Sequence, residues 1–153
     1  MPTPALTIRQ LASDDAAVLE AMSVMFGRAF DDAEAYTSAP PNRTYLERLL
    51  ASGHFVALAA LKHGSVVGGI TAYELQKFEQ ERSEIYIYDL AVAVKHRREG
   101  IATALIKELG EYAKTRGAHV MFVQADADDA PAAALYAKLG SRKEVLHFDI
   151  PPA

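Results

Sequence analysis

Residues 84–116 constrain this chain more than any other stretch. Glu84-Ile85-Tyr86-Ile87-Tyr88-Asp89-Leu90-Ala91-Val92-Ala93-Val94 is an apolar run of strand character, interrupted by a carboxylate at Asp89. Lys95-His96-Arg97-Arg98-Glu99-Gly100-Ile101-Ala102-Thr103 follows, and a helical pattern then runs to Arg116. In that pattern Ala102, Leu105, Ile106, Leu109 and Ala113 fall on one face. Lys114 and Arg116 complement the last turn, and Gly117 offers a stop. A basic, glycine-containing loop between strand and helix presents unpaired backbone N–H groups where the helix dipole favours negative charge. Its expected guest is a phosphate or pyrophosphate. Gly100 lets the backbone approach such a group, Ala102 keeps the helix start small, and Arg97 and Arg98 add positive charge. No Gly-Lys-Ser/Thr follows and no Gly-x-Gly-x-x-Gly is present, so neither a P-loop nor a dinucleotide fingerprint is read here.

His119 to Ala125 reads as a further strand, and strand–helix–strand at this spacing predicts two parallel strands. Upstream, Leu6 to Gln10 alternates weakly as a first strand. Ser13 is an expected N-cap, with Asp14 and Asp15 in the first turn. Val18, Leu19, Met22, Met25 and Phe26 then fall at helical spacing, with Gly27 as a stop. Phe30 to Pro41 reads as a loop, and Asn42 as the cap of a short helix ended by Gly53. His54–Leu61 and Val66–Leu75, joined by Lys62-His63-Gly64-Ser65, read as a β-hairpin. Gly68-Gly69 marks a bulge or a close backbone approach. Downstream come an acidic loop at 126–130, a helix with Pro131 in its first turn and Gly140 at its end, and an expected last strand at Lys143–Ile150. The class is α/β, and 1–153 is expected to be a single domain.

Composition narrows the function classes. No apolar run approaches 18 residues, so no membrane-spanning helix is expected. Met1-Pro2-Thr3-Pro4-Ala5 lacks the pattern of a signal peptide. Cysteine is absent, which excludes disulfides, thiolate metal sites and a cysteine acyl-enzyme, and fits a cytoplasmic protein. The five histidines show no metal-ligand spacing, so no metal is expected. The net charge is −4, a poor basis for binding nucleic acid. Acidic residues cluster, and if the clusters line a cleft the preferred substrate is a cation.

On these residues the chain resembles the GNAT superfamily of N-acetyltransferases. The family's Arg/Gln-x-x-Gly-x-Gly/Ala segment matches Arg97, Gly100 and Ala102, preceded by a strand with the Leu90-Ala91-Val92 ending. A second signature, Ala-x-x-Leu-Tyr-x-Lys-x-Gly, matches Ala132, Leu135, Tyr136, Lys138 and Gly140. Longer blocks are similar to the small, GNAT-type aminoglycoside 3-N-acetyltransferases (class I, the gentamicin-modifying enzymes of antibiotic resistance). These are Phe26-Gly27-Arg28-x-Phe30, Lys77-Phe78-Glu79-Gln80, Arg82 to Asp89, Val123-Gln124-Ala125-Asp126 and His147-Phe148-Asp149-Ile150. The resemblance covers essentially the whole chain and departs at the termini and in the loops at 32–42 and 127–131. Those loops bear on which drugs are accepted.

The resemblance implies a fold and a chemistry. The fold is an antiparallel meander with two central, splayed parallel strands flanked by helices, and acetyl-CoA lies in the gap. The backbone from Arg97 to Thr103, including Arg98, Gly100, Ile101 and Ala102, would hold the pyrophosphate, and the Leu90-Ala91-Val92 edge the pantetheine arm. An N–H near Leu90 is the expected oxyanion donor. Tyr136 is the expected general acid and Asp89 the general base, a carboxylate that would be costly to bury in a strand without a purpose. An ammonium-rich substrate would be met by Asp126, Asp128 and Asp129, by Asp32, Glu34 and Tyr36, and by Glu84 and Asp149. The family implies a homodimer. The alternatives are transfer to another amine, a polyamine or a peptide N-terminus, and a non-catalytic acyl-CoA-binding module.

Overall fold

The computed structural model describes residues 5–153; Met1 to Pro4, most of the segment read for a leader, lie outside it. Five strands form one sheet: β1 (Thr7–Gln10), β2 (Phe55–Lys62), β3 (Ser65–Gln76), β4 (Ser83–Val92) and β5 (Ala118–Val123). They lie in chain order, the first four antiparallel and β4–β5 parallel. The helices are α1 (Ala16–Ala29), α2 (Ala33–Thr37), α3 (Arg43–Ala51), α4 (Ile101–Thr115) and α5 (Ala130–Leu139). Among the described residues no helix is long and apolar enough to cross a membrane.

Two cores sandwich the sheet. On one face Met22 and Phe26 of α1 and Leu46 and Leu50 of α3 pack with Ala57, Ala59 and Ala91. On the other, Leu105, Ile106 and Leu109 of α4 pack with Val56, Leu58, Ile85 and Ile87. Covering on both sides explains why β2 reads as a continuous apolar run, with Val56 to Ala60 all buried. The buried α4 stripe matches its periodicity at Leu105, Ile106, Leu109 and Ala113, but Ile101 and not Ala102 opens it. Gly68-Gly69 serves both helical layers. A Cβ at Gly69 would meet Met22 Cε at 2.6 Å, and one at Gly68 would meet Ile101 Cγ2 at 3.0 Å. The register also slips beside them, between Ala60 and Leu61.

Four local expectations change. Ser13 is not the cap: Ser13–Asp15 is a 3-10 turn, and buried Asp15 accepts the Ala12 N–H at 2.8 Å while pairing with Arg9. Here a carboxylate reaching back three residues displaces the hydroxyl. Gly27 does not stop α1, which runs on to Ala29; its bare Cα lets α2 approach, since a Cβ there would sit 3.1 Å from Ala33 Cα. The 30–41 loop therefore contains a short helix, α2. Residues 143–150 form no strand and are exposed, leaving β5 as the outer strand.

Candidate active site

β4 carries the centre of the site. Its register against β3 pairs Thr71 with Asp89 but Ala72 with Ile87, so Tyr88 is the extra residue of a β-bulge. Beyond the bulge, Asp89 is brought opposite Thr71. The Thr71 hydroxyl donates to Asp89 Oδ2 at 2.7 Å, and the Tyr36 hydroxyl, from α2, donates to Oδ1 at 3.3 Å. Burial, then the negative charge of Asp89, pushes the Tyr36 phenol up to about 12. The same two causes raise Tyr73. The two hydroxyls hold the carboxylate in place, and neither is cationic, so no positive side chain is paired with it in these hydrogen bonds.

The parallel strands separate just before Asp89. β4 and β5 pair from Ser83–Ala118 to Ile87–Val123, and β4 then continues to Val92 without β5 beside it. The outer backbone edge of Tyr88–Val92 is thus open to an extended ligand. Ala91 is buried and Leu90 and Val92 half-buried, which fixes this edge against the core.

The chain next makes a 3-10 turn at Val94–His96, passes through left-handed Arg98 (φ 65°) and Gly100 (φ 80°), and enters α4. No side chain caps α4, and its first internal bond is Ala104 N–H to the Gly100 carbonyl at 3.0 Å. The N–H groups of Ile101, Ala102 and Thr103 therefore have no intrahelical acceptor. A Cβ at Gly100 would meet nothing within 4 Å, so the approach is clear. Glu99 is drawn aside by an ion pair with Lys62, whose hydrogen bond lowers the Glu99 pKa. This open strand edge leading to an uncapped helix start fits a long ligand with a pyrophosphate at one end. The exposed Arg97 guanidinium donates to the carbonyls of Ala29 (3.1 Å) and Val92 (3.4 Å), so that side chain ties α1 to the end of β4.

Tyr136 is half-buried against the α4-side core together with Leu135. Burial, then the Asp129 carboxylate, raises its pKa above the ordinary 10.0, so the phenol is protonated at neutral pH. Asp129 caps α5, accepting the Ala132 N–H at 3.3 Å. Asp126 and Asp128 are exposed where the chain leaves β5, the end at which the strands separate. Asp32 and Glu34 are exposed beside Tyr36. Two residues of the expected set stand elsewhere. Glu84 is five residues back along β4, roughly 15 Å from Asp89 at strand spacing, and is engaged by Lys77 (3.4 Å) and His119 (3.3 Å). Asp149 sits on the exposed tail, paired with His147 at 2.8 Å.

The structure adds an aromatic floor that the sequence did not disclose. Phe55, Tyr73, Tyr86 and Phe122 occupy one cross-strand row over β2, β3, β4 and β5. Phe55 and Tyr73 lie 5.2 Å apart, and Tyr86 stacks on Phe122 at 4.6 Å. Bulged Tyr88 bridges Tyr73 and Tyr86 at 5.8 and 5.6 Å. The Tyr86 hydroxyl donates to Gln124 at 2.9 Å. The alternation of Tyr86 and Tyr88 was visible in the sequence, but the row depends on register across four strands.

A parted pair of parallel strands, a bulge beside a satisfied carboxylate, and an uncapped glycine-led helix together make a cleft that fits a long, pyrophosphate-bearing ligand beside a carboxylate. The family model described as Acetyltransferase (GNAT) family matches residues 17–141, and the chain belongs to that family. Its cofactor is acetyl-CoA. An aminoglycoside acetyltransferase from an uncultured soil metagenomic sample is 58% identical, covering 97% of this chain and 99% of its own, with a TM-score of 0.95. Another aminoglycoside acetyltransferase from an uncultured soil metagenomic sample, solved with sisomicin, is 29% identical over 97% of each chain, with a TM-score of 0.90. N-acetyltransferase 8B of Rattus norvegicus is 28% identical over 83 residues, 54% of this chain but 37% of that protein, so the match spans well under half of that relative.

Proposed function

We propose that the chain transfers acetyl from acetyl-CoA to the 3-amino group of a gentamicin-like aminoglycoside. The observation that carries the aminoglycoside reading is the 58% identity, over nearly the full length of both chains, to an aminoglycoside acetyltransferase; the 3-amino position and the gentamicin-like drug rest on the block resemblance in the sequence. Features of the cleft support it. Asp89 offers a carboxylate with no cationic partner in its hydrogen bonds. Exposed Asp32, Glu34, Asp126 and Asp128 suit a substrate with several ammonium groups. The aromatic floor offers ring faces to sugars and cations.

When bound, acetyl-CoA supplies the activated acyl carbon. Asp89 holds the substrate ammonium and takes one of its protons, directly or through water, freeing a lone pair for attack. The open edge near Leu90 orients the acyl oxygen and donates an N–H to it as negative charge develops there. Tyr136, protonated at neutral pH, gives its proton to the departing sulfur and recovers one, through solvent, from the newly acetylated nitrogen. The backbone of Ile101 to Thr103 holds the pyrophosphate. No covalent enzyme intermediate is invoked, and the chain has no cysteine to form a thioester. We place the protein in the cytoplasm.

The test is incubation with acetyl-CoA and gentamicin, monitoring thiol release and then locating the acetyl group by NMR. The expected product carries acetyl on the 3-amino nitrogen. Absence of thiol release with gentamicin and sisomicin would overturn the substrate class, and acetyl on another nitrogen would overturn the position. Spermidine and a peptide N-terminus, run in parallel, test the other amine classes. Tight CoA binding with no turnover on any amine would point to the non-catalytic module.

A further inference from the structure

The loop before α4 is basic except at one place. Lys95, His96, Arg97 and Arg98 are followed by Glu99, the last residue before Gly100. Glu99 therefore stands beside the free N–H groups of Ile101, Ala102 and Thr103. A carboxylate at that point opposes a pyrophosphate in two ways. Its charge repels the incoming anion. Its flexible side chain can also fold back onto the same N–H groups, as acidic side chains do at helix starts.

The structure holds this carboxylate elsewhere. Val56, Leu58 and Ala60 of β2 face the α4-side core, and strand alternation puts Lys62 next on that face. From there the Lys62 ammonium donates to Glu99 Oε1 in an ion pair. The Lys62 side chain is 13% exposed against 37% for Glu99, so water and salt screen this pair less than an open surface pair. His96 Nδ1 lies 3.5 Å from the other carboxylate oxygen, beyond a good hydrogen bond. The backbone beneath is seated independently. The Ala93 N–H donates to the Val67 carbonyl at 2.8 Å, and Gly68 packs against Ile101. The ion pair is thus not what anchors the loop; it decides where the Glu99 charge points.

We propose that Lys62 is a positioning residue for cofactor binding: it holds the Glu99 carboxylate away from the start of α4 and leaves that start open to the pyrophosphate of acetyl-CoA. Lys62 does this without touching the cofactor. The proposal rests on the pyrophosphate lying at Ile101 to Thr103 and does not depend on which amine is acetylated.

The experiment is a double-mutant cycle on CoA affinity, titrated by calorimetry with the full chain at low salt. Lys62→Met frees the carboxylate and should weaken CoA binding by about 5-fold or more. Glu99→Gln alone should bind CoA at least as tightly as wild type. Lys62→Met combined with Glu99→Gln should return to within about twofold of Glu99→Gln. Unchanged affinity in Lys62→Met overturns the proposal. So does a double variant as weak as Lys62→Met alone, the pattern of a lysine that contacts the phosphates itself or merely braces the loop. Gly100→Ala, titrated alongside, separates the two assumptions. If it leaves CoA affinity intact, the pyrophosphate lies elsewhere and the proposal falls with its placement. If it weakens CoA binding while Lys62→Met does not, the placement stands and the role of Lys62 falls. Should Lys62→Met fail to fold by circular dichroism, Lys62→Gln carries the same cycle.

Discussion

Asp89→Asn separates catalysis from folding at this site. The change is nearly isosteric and removes the negative charge and the capacity to take a proton. The carboxylate accepts two hydrogen bonds, a short one from Thr71 at 2.7 Å and a long one from Tyr36 at 3.3 Å. An asparagine keeps one acceptor oxygen for Thr71 and offers an amide donor to the Tyr36 oxygen, so the structural loss is about 1 kcal/mol or less. For a domain of this length that lowers Tm by about 2–4 °C. A positioned base contributes about 10²–10⁴ in rate, or roughly 3–5.5 kcal/mol at 1.36 kcal/mol per decade. The assay pairs thermal unfolding with thiol-release kinetics from pH 6 to 9 and CoA titration by calorimetry. A fall in turnover of about 10²-fold or more, with CoA affinity and Tm nearly unchanged, is the expected result. Wild-type turnover across that range would refute Asp89 as the base, and a collapse of Tm would make it a structural carboxylate of the bulge.

Tyr136→Phe should lower kcat by about 10-fold or more while leaving the CoA dissociation constant unchanged; a normal kcat would remove Tyr136 from the mechanism. The Tyr36 phenol is raised from 10.0 to about 12, so the folded protein holds its proton more tightly than the unfolded chain. That contribution is complete below pH 10 and is lost as pH rises towards 12. The stability of wild type relative to Tyr36→Phe should therefore fall between about pH 10 and about pH 12 in urea unfolding, and a constant difference would contradict the assignment. Gly69→Ala places a Cβ 2.6 Å from Met22 Cε in the core and should cost about 1–3 kcal/mol, seen as a lower urea midpoint. Gly100→Ala has space for its Cβ but a φ of 80°. It should cost about 1 kcal/mol and weaken CoA binding measured by calorimetry.

What could be read in advance depended on whether a signal was local. The α4 stripe from Leu105 to Ala113, the Asn42 cap and the turns at Gly64 and Gly117 follow from spacing and backbone chemistry within a few residues, and the structure has each of them. The glycine-led helix start is local in the same sense. Asp89 stood out because a carboxylate in an apolar strand demands partners, but its partners did not. Thr71 lies 18 residues away and Tyr36 lies 53 away, and both reach it only through the Tyr88 bulge and the approach of α2 over Gly27. The aromatic floor needed the register of four strands. Gly27 misled because glycine signals both a helix stop and a close approach, and only packing shows which applies; at Gly140 the expected stop is present, since α5 ends at Leu139. Residues 143–150 have a strand's pattern, and a pattern does not say where its partner edge lies.

The central claim is that this cleft acetylates an aminoglycoside. It is tested most directly by kcat/KM for acetyl transfer to gentamicin and sisomicin, measured beside spermidine and a peptide N-terminus under identical conditions. A preference for the aminoglycosides of about 100-fold or more is the predicted result. Equal or better transfer to spermidine or the peptide, or no thiol release with either drug, would contradict it.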